Sequence, residues 1–308
     1  MKIVITGASG FIGKHLVDFF LEKEADCFLY TISRHPVDLR ASNKRVVHIC
    51  DDLTDENALC EKLLAAGVTR PDVFYHLAWS GVTTREKNNF EIQQRNLDYG
   101  MCALSVCNKI GAKLFVNLGT SAEYVACNGL INSRSRPMPN DIYGAMKIAS
   151  HYLLEMNANL LHQAYIHTIL ASTFGEGRLD DNVISYTIKT LLCGDVPDYG
   201  SLEQMWDFLY IKDAVYALYL IGKFGKPGET YAIGSGQYRH LSEFIETIRD
   251  MIDPSLKLNI GIKKQQYAAI QNSCMDLFNL QRDTPFVPQY TFADGIRRTI
   301  DYFNKKGD

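Results

Sequence analysis

The chain has 308 residues, of which 46% are hydrophobic and 22% are charged, and its formal net charge is -3 at pH 7. This length can bury a large core, and the small net charge gives no reason to expect a nucleic acid or an anionic membrane as a partner. The cysteines form no Cys-x-x-Cys pair and the histidines no His-x-x-x-His pair, which predicts reduced thiols and no metal site. Without a visible signal peptide or an apolar run of about 20 residues, we expect a soluble, cytoplasmic protein.

Strand-like and helix-like patterns alternate through the first half of the chain. Short runs rich in β-branched and aromatic residues predict strands at 3–6, 27–32, 46–50, 73–77, 114–118 and 166–170. Helical periodicity predicts helices at 11–24, 57–66, 90–110 and 143–161. This alternation predicts an α/β fold, a doubly wound parallel sheet that binds ligands at the carboxyl ends of its strands.

The alternation breaks after about residue 172. Turn-rich segments, one strand-like run at 208–211 and three helical patterns at 183–192, 213–221 and 241–251 follow. We therefore predict a sheet-bearing domain over 1–172 and a smaller mixed α/β domain over 173–308. The second domain should cover the ligand edge of the sheet, with the segments partly interleaved and no flexible linker.

Three glycines follow the first predicted strand, where the chain turns into a helix. Gly7 permits the sharp turn, Gly10 leaves room for a pyrophosphate, and Gly13 lets the helix pack closely on the strand. The loop predicts a dinucleotide site, with further contacts from the neighbouring residues Ser9, Phe11 and Ile12.

The residues after the second strand bear on the choice of dinucleotide. A carboxylate at this place would bind the ribose hydroxyls of NAD, whereas this chain has Ser33 and Arg34. A hydroxyl and a guanidinium suit a 2′-phosphate, so we favour NADP(H) and keep NAD(H) as the alternative.

The next two predicted strands also end in residues that suit a cofactor site. After the third strand, Asp52 beside Leu53 can accept a hydrogen bond from the adenine amino group. After the fourth strand, Leu77 and Ala78 can pass beneath the cofactor, while Trp79 either projects into the ligand cleft or fills core.

Hydroxyl and phenol side chains are expected to meet at the end of the fifth strand. Thr120 and Ser121 are both candidates to hydrogen-bond a carbonyl that is being reduced, and we choose Ser121. On the following helix Tyr143 and Lys147 are spaced i, i+4, so phenol and ammonium share one face. A cation so placed favours the phenolate and would lower the pKa of Tyr143 toward neutral pH.

Together these motifs resemble the extended short-chain dehydrogenase/reductase family, in particular its NAD(P)-dependent sugar-nucleotide epimerases, dehydratases and reductases. The resemblance also rests on Asn96, on the run from Thr120 to Tyr124, and on segments 207–213 and 231–236. It implies a Rossmann-type sheet domain, a C-terminal substrate domain, Asn96 at the cofactor, and a homodimer formed through helices 90–110 and 143–161. The residues it implies for binding a nucleoside-diphosphate sugar are Trp79, Thr120, Glu123, Arg178 and Asn182.

The resemblance also implies catalytic roles. Lys147 would bind the nicotinamide ribose, Tyr143 would exchange a proton with the C4 hydroxyl of a hexose, and Ser121 would orient the C4 oxygen. Epimerases and 4,6-dehydratases recycle NAD, whereas reductases consume NADPH.

Three residues bear on which of these reactions to expect. Ala122 cannot act as the general acid of a dehydratase, and the Ser33–Arg34 pair favours NADPH. We therefore expect reduction of the C4 keto group of a nucleoside-diphosphate-4-keto-6-deoxyhexose, in deoxysugar biosynthesis. A 4-epimerase, a 4,6-dehydratase and a non-catalytic NAD(P)-sensing or scaffold protein remain as alternatives. Trp206 stands where the family usually has an Arg before Asp207, and Arg178 is the candidate substitute.

Overall fold

The computed structural model describes residues 1–34, 43–124, 129–178, 180, 182–263 and 272–306. In this part of the chain the strands are β1 (Lys2–Thr6), β2 (Phe28–Ser33), β3 (Val46–Cys50), β4 (Val73–His76), β5 (Phe115–Thr120), β6 (Leu130–Ile131), β7 (Tyr165–Leu170), β8 (Ser172–Phe174), β9 (Met205–Trp206), β10 (Phe208–Tyr210), β11 (Thr230–Ile233), β12 (Arg239–His240) and β13 (Cys274–Met275). The helices are α1 (Phe11–Lys23), α2 (Glu56–Ala65), α3 (Phe90–Lys109), α4 (Ile142–Leu160), α5 (Val183–Leu192), α6 (Ile211–Phe224), α7 (Leu241–Ile252), α8 (Phe278–Asp283) and α9 (Phe292–Lys306), and a short 3-10 turn spans Ser121–Glu123.

A seven-stranded parallel sheet of order β11-β7-β5-β4-β1-β2-β3 forms the centre of the described structure. Successive side chains of a strand point to opposite faces. In β1, Ile3 and Ile5 accordingly pack in one core with Leu218 of α6, and Val4 packs in the other with Leu104 of α3. The predicted α/β fold, with helices on both faces of a parallel sheet, is confirmed.

The strand order reverses beside β1, which pairs with β2 on one side and β4 on the other. A crevice opens where the connections from two neighbouring parallel strands leave in opposite directions, and this crevice is where open α/β sheets bind ligands. The glycine loop after β1 and the residues after β4 therefore lie at the expected ligand edge.

The C-terminal part of the chain is interleaved with the central sheet. Strand β11 pairs with β7, and α6 packs against α1. The remaining short strands form three two-stranded sheets, β8 with β10, β9 with β12, and β6 with β13. Part of the C-terminal half thus completes the central sheet, and the division at residue 172 stays a prediction. None of the described helices combines the length and the hydropathy that crossing a membrane requires.

Candidate active site

The glycine loop has no room for side chains. Gly7 has φ +69°, and a Cβ added to it would lie 2.7 Å from the Ala78 backbone nitrogen. A Cβ on Gly13 would lie 2.3 Å from the Gly7 carbonyl oxygen. Gly10 is the N-cap of α1, so the free N–H groups of the first helical turn face the crevice. The loop thus has the tight turn and the close helix packing that a pyrophosphate site needs.

Two cavities meet at this loop and extend in opposite directions. The smaller, of about 210 Å³, is lined by the predicted cofactor contacts Ser9, Ser33, Arg34, Asp52, Leu53 and Ala78. The larger, of about 470 Å³, is lined by Phe11, Ile12, Gly13, Thr120, Ser121, Tyr143, Lys147 and Arg178. Gly7, Gly10, Leu77 and Trp79 line both. The residues present therefore fit an extended dinucleotide that crosses the loop from one cavity to the other.

Leu53 shows a local strain that the sequence did not reveal. Its φ is +63°, in the left-handed region that costs a residue with a side chain free energy, and its backbone nitrogen donates to Asp51 Oδ1 at 2.8 Å. The Asp51 carboxylate is held in turn by Lys62 at 2.8 Å. These contacts fix the backbone beside Asp52 at the wall of the smaller cavity.

Helix α4 carries Tyr143 and Lys147 against the end of β5. Asp141 caps the helix by accepting a hydrogen bond from the Gly144 nitrogen at 2.7 Å. A Cβ on Gly144 would lie only 2.4 Å from the Ala122 carbonyl oxygen, so the first turn of α4 packs directly on the 3-10 turn. This close packing places Tyr143 beside Thr120.

Lys147 is a buried cation without a carboxylate in direct contact among the described residues. Its Nζ donates to the Leu118 carbonyl oxygen at 2.7 Å and lies 3.9 Å from the centroid of the Trp79 ring. Burial lowers the pKa of Lys147 to about 7, against the opposing effect of Glu123. The ammonium is therefore poised to titrate near neutral pH.

The predicted lowering of the Tyr143 pKa is wrong for this structure. Burial raises the pKa of Tyr143 to about 12, although a hydrogen bond with Thr120 acts in the opposite direction. The Lys147 ammonium is engaged by Leu118 and Trp79. Tyr143 is thus a protonated phenol at neutral pH, in the form of a proton donor.

The two hydroxyl candidates after β5 differ in their partners. Thr120 interacts with the Tyr143 phenol and accepts a hydrogen bond from the Ala122 nitrogen at 3.2 Å. Ser121 also lines the larger cavity but is 6% exposed. The geometry favours Thr120 as the partner of Tyr143, while the role predicted for Ser121 stays a prediction.

Glu123 was predicted to contact the substrate, but the structure places its carboxylate away from the larger cavity. It is fully buried, its Oε1 accepts from the Thr120 nitrogen at 2.9 Å, and its Oε2 lies 3.2 Å from His167 Nε2. The carboxylate points behind β5 because it closes a capping box on the 3-10 turn. Glu123 therefore does not line the cavity.

Asn96 was expected to contact the cofactor and Asn182 the substrate, but both side chains bind backbone groups outside the two cavities. Asn96 is 1% exposed, and its amide exchanges hydrogen bonds with both backbone groups of Ser80, so it shapes the loop after β4 and does not line either cavity. Asn182 caps α5 by accepting from the nitrogens of Ile184 and Ser185. Neither described cavity includes it among its lining residues.

Arg178 does reach the larger cavity, but it has partners. Its guanidinium binds both carboxylate oxygens of Asp180, at 2.8 and 3.0 Å, and also contacts Thr173. Trp206, at the position of the expected Arg, donates from Nε1 to Ser172 Oγ at 3.0 Å.

The cavity wall formed by Ser172, Thr173, Gly177 and Asp180 was missed from the sequence. A signal was available, because Ser172 and Thr173 come just after β7, and ligands bind at the carboxyl ends of parallel strands.

Comparisons with known proteins identify the lineage. The model of the "NAD dependent epimerase/dehydratase family" matches residues 3–234. The chain belongs to this family. A similar curated relative is dTDP-glucose 4,6-dehydratase 1 of Escherichia coli, which is 24% identical over 98% of this chain and 92% of that protein. The dTDP-glucose 4,6-dehydratase of Haemophilus influenzae is 23% identical over 98% of both.

Solved structures share the fold. UDP-glucose 4-epimerase of Thermotoga maritima has a TM-score of 0.87 at 21% identity and covers 100% of both chains. UDP-glucuronic acid 4-epimerase of Bacillus cereus, in complex with UDP-glucuronic acid and NAD, has a TM-score of 0.86 at 24% identity and covers 99% of this chain and 100% of the other. The predicted family and fold, and an NAD(P)-dependent enzyme that acts on a nucleotide sugar, are confirmed.

Proposed function

We propose that the chain reduces the C4 keto group of a nucleoside-diphosphate-4-keto-6-deoxyhexose. The observation that carries the proposal is the position of the Tyr143 phenol, a proton donor that interacts with Thr120 at the wall of the larger cavity. A donor in this form can protonate the oxygen of a carbonyl as it becomes an alcohol. A bound nicotinamide supplies the hydride chemistry, and the chain's own residues manage the oxygen and its proton.

Each residue of the site has a defined task in this proposal. Thr120 holds the phenol of Tyr143, so the phenolic proton can pass to the C4 oxygen. Lys147 places a positive charge beside that oxygen and binds the ribose of the cofactor. Trp79 covers the ammonium and excludes water from it, because its ring lies 3.9 Å from Nζ. Ser121 is proposed as a second hydroxyl for the sugar.

The cavity is poorly equipped for dehydration. Removing water from C5 and C6 needs a base and an acid in addition to the tyrosine, whereas Ala122 supplies neither. Glu123 faces His167 behind the strand. Among the described residues that line the larger cavity, the one carboxylate is Asp180, which is paired with Arg178. This arrangement supports a single proton transfer at C4.

The proposal includes NADPH as the preferred cofactor. Ser33 and Arg34 line the smaller cavity, where the 2′-phosphate of NADPH would find a hydroxyl and a guanidinium. The carboxylates of this cavity, Asp51 and Asp52, follow β3 and not β2. The Bacillus cereus epimerase was solved with NAD, so NAD(H) is the alternative to be measured.

A 4-epimerase is the second candidate. It would use Thr120, Tyr143 and Lys147 in both directions, and proteins named as 4-epimerases share this fold at TM-scores of 0.86 and 0.87. An epimerase retains its NAD through the cycle, whereas a reductase must exchange its cofactor at every turnover.

Cofactor consumption separates the candidates. Purified protein is mixed with NADPH, or with NADH, and each of dTDP-, CDP- and GDP-4-keto-6-deoxyhexose, and absorbance at about 340 nm is followed. We expect stoichiometric loss of NADPH absorbance with one of these sugars. Protein that copurifies with stoichiometric NAD and interconverts C4 epimers without added cofactor would contradict the reductase and support the epimerase. If Tyr143→Phe turns over at the wild-type rate, both enzymatic proposals fail.

The quaternary structure is part of the proposal. Helices α3 and α4 pack side by side, and α4 presents exposed apolar side chains, with Leu153 48%, Met156 58% and Leu160 80% exposed. Apolar side chains grouped on one helix mark an interaction surface. We propose that a second copy of the chain covers this face and completes a homodimer.

A further inference from the structure

Glu123 and His167 form a buried pair behind the end of β5. Both side chains are at most 1% exposed, and Glu123 Oε2 lies 3.2 Å from His167 Nε2. Asn117 Nδ2 donates to His167 Nδ1 at 3.2 Å, so the ring proton lies on Nε2 and points at the carboxylate. The other carboxylate oxygen accepts from the Thr120 nitrogen at 2.9 Å. Both oxygens of Glu123 therefore act as acceptors, as an ionised carboxylate does.

The chain makes room for this pair at Gly119. A Cβ at this position would lie 2.5 Å from His167 Nε2 and 2.2 Å from the Thr168 carbonyl oxygen. Only a residue without a side chain lets the imidazole pass beneath β5 to reach Glu123. The His151 ring then stacks on the far side of His167, with ring centroids 3.8 Å apart.

Lys147 lies on the opposite side of the same short stretch of backbone. Its Nζ donates to the carbonyl oxygen of Leu118, the residue before Gly119, and Glu123 raises the pKa of Lys147 against the effect of burial. Tyr143 and His151 lie one turn before and one turn after Lys147 on α4. From other elements, the groups that interact with the ammonium are His76 on β4, the Trp79 ring, the Leu118 carbonyl and Glu123, which is paired with His167. Burial and the Lys147 charge hold the pKa of His76 down to about 3, and burial holds that of His151 down to about 3, so both are neutral.

We propose that the Glu123–His167 pair is a positioning unit that holds an ionised carboxylate behind β5 and thereby keeps the Lys147 ammonium charged in the active site. Glu123 is the acidic group of this surrounding set, and His167 supports it by donating to Oε2. This inference rests on the proposed role of Lys147 at the cofactor and adds two residues that touch neither cofactor nor substrate.

If the Glu123–His167 pair had only a structural role, replacing Glu123 would have a different effect. If Glu123 only closed the capping box on the 3-10 turn, its replacement would change stability and leave the titration of Lys147 where it is. If it supplies charge, removing the charge must move that titration to lower pH, because an ammonium loses its proton more readily when a nearby anion disappears.

The test is a pH titration of Lys147 followed by NMR in protein labelled with ¹³C at lysine Cε, with the resonance assigned from the Lys147→Met variant. Lys147 is separable from other lysines because its pKa is lowered to about 7. In Glu123→Gln we expect the midpoint to fall by about one pH unit, a tenfold change in the acid dissociation constant. Because no turnover is involved, the result can be read even if the sugar-nucleotide chemistry proves to be different.

Matched variants complete the design. Asp213→Asn is the control, since Asp213 is a buried carboxylate of α6 whose oxygens accept from Gln289 and Tyr290, outside the site. It should leave the midpoint unchanged. His167→Gln retains an N–H donor and should keep the midpoint, whereas His167→Leu removes the donor to the Glu123 carboxylate and should lower it. An unchanged midpoint in folded Glu123→Gln, or in His167→Leu where Glu123→Gln does not fold, overturns the proposal.

Discussion

The Nζ atom of Lys147 lies 3.9 Å from the centroid of the Trp79 ring, on the wall of the larger cavity. The same ring meets the Tyr143 ring edge to face, with centroids 6.1 Å apart. A cation over an indole face is stabilised by about 1–2 kcal/mol when shielded from water. Trp79 therefore orders both groups on which the proposed proton transfer depends.

Replacing Trp79 should expose this dependence. In Trp79→Leu the loss of about 1–2 kcal/mol of cation–π stabilisation should lower kcat/KM by roughly 5- to 30-fold. Trp79→Phe keeps an aromatic face and should stay within about 3-fold of wild type. Steady-state kinetics with the active keto sugar measures both, and equal losses in the two variants would contradict the cation–π account.

The hydroxyl that assists Tyr143 can be identified by a pair of variants. Because Thr120 interacts with the phenol, Thr120→Val should lower kcat by about 10²-fold or more. Ser121→Ala should cost less, since Ser121 has no such contact with Tyr143. Single-turnover rates separate the chemical step from product release. A larger loss in Ser121→Ala would restore the choice made from the sequence.

The buried Lys147 ammonium should reduce the stability of the free protein in a pH-dependent way. Its pKa is lowered from 10.5 to about 7 by burial, so the unfolded chain binds more protons between these values and stability rises with pH across this window. Below pH 7 the full cost applies, at most about 5 kcal/mol.

Lys147→Met should therefore raise the melting temperature, most at pH 6 and least near pH 10. Thermal unfolding at several pH values measures this difference. Lys14→Met is the control, because Lys14 is exposed on α1 and should show no such trend. A difference in melting temperature between Lys147→Met and wild type that grows as pH rises would contradict this explanation.

The proposed dimer face on α4 can be tested by introducing charged side chains. Leu153→Glu combined with Met156→Glu places two carboxylates on side chains that are 48% and 58% exposed, and should yield monomers. Leu64→Glu on α2, at a position 50% exposed, is the matched control and should not change the mass. Sedimentation equilibrium at micromolar concentration gives the answer, and a monomeric wild type would contradict the proposal.

Periodicity and glycine placement were enough to predict six of the seven strands of the central sheet, the helices between them and the tight turn after β1, because both signals are local. Gly10 and Gly13 pack against residues within a few positions of themselves, and Gly7 also leaves room for the distant Ala78 backbone. Side-chain direction was harder to predict. Glu123 follows Thr120 closely in sequence, but the capping box turns its carboxylate behind β5, toward a histidine that is distant in the chain.

The pKa values of the site also depend on contacts between residues that are distant in the chain. The i, i+4 spacing correctly placed Tyr143 and Lys147 on one helix but could not show that the ammonium is engaged by Leu118 and Trp79. Burial therefore dominates the pKa of Tyr143, opposite to the predicted direction. Burial is set by the strands and loops that pack around α4, which no local pattern records.

Hydride tracing tests the central claim most directly. Protein is incubated with NADPH deuterated at nicotinamide C4 on either face and with the keto sugar nucleotide that it consumes, and the product is examined by NMR. We predict one deuterium at sugar C4, from one face of the cofactor only, and no labelled product with Tyr143→Phe. Product that forms while the deuterium stays in the cofactor, or product labelled at another carbon, would contradict reduction at C4.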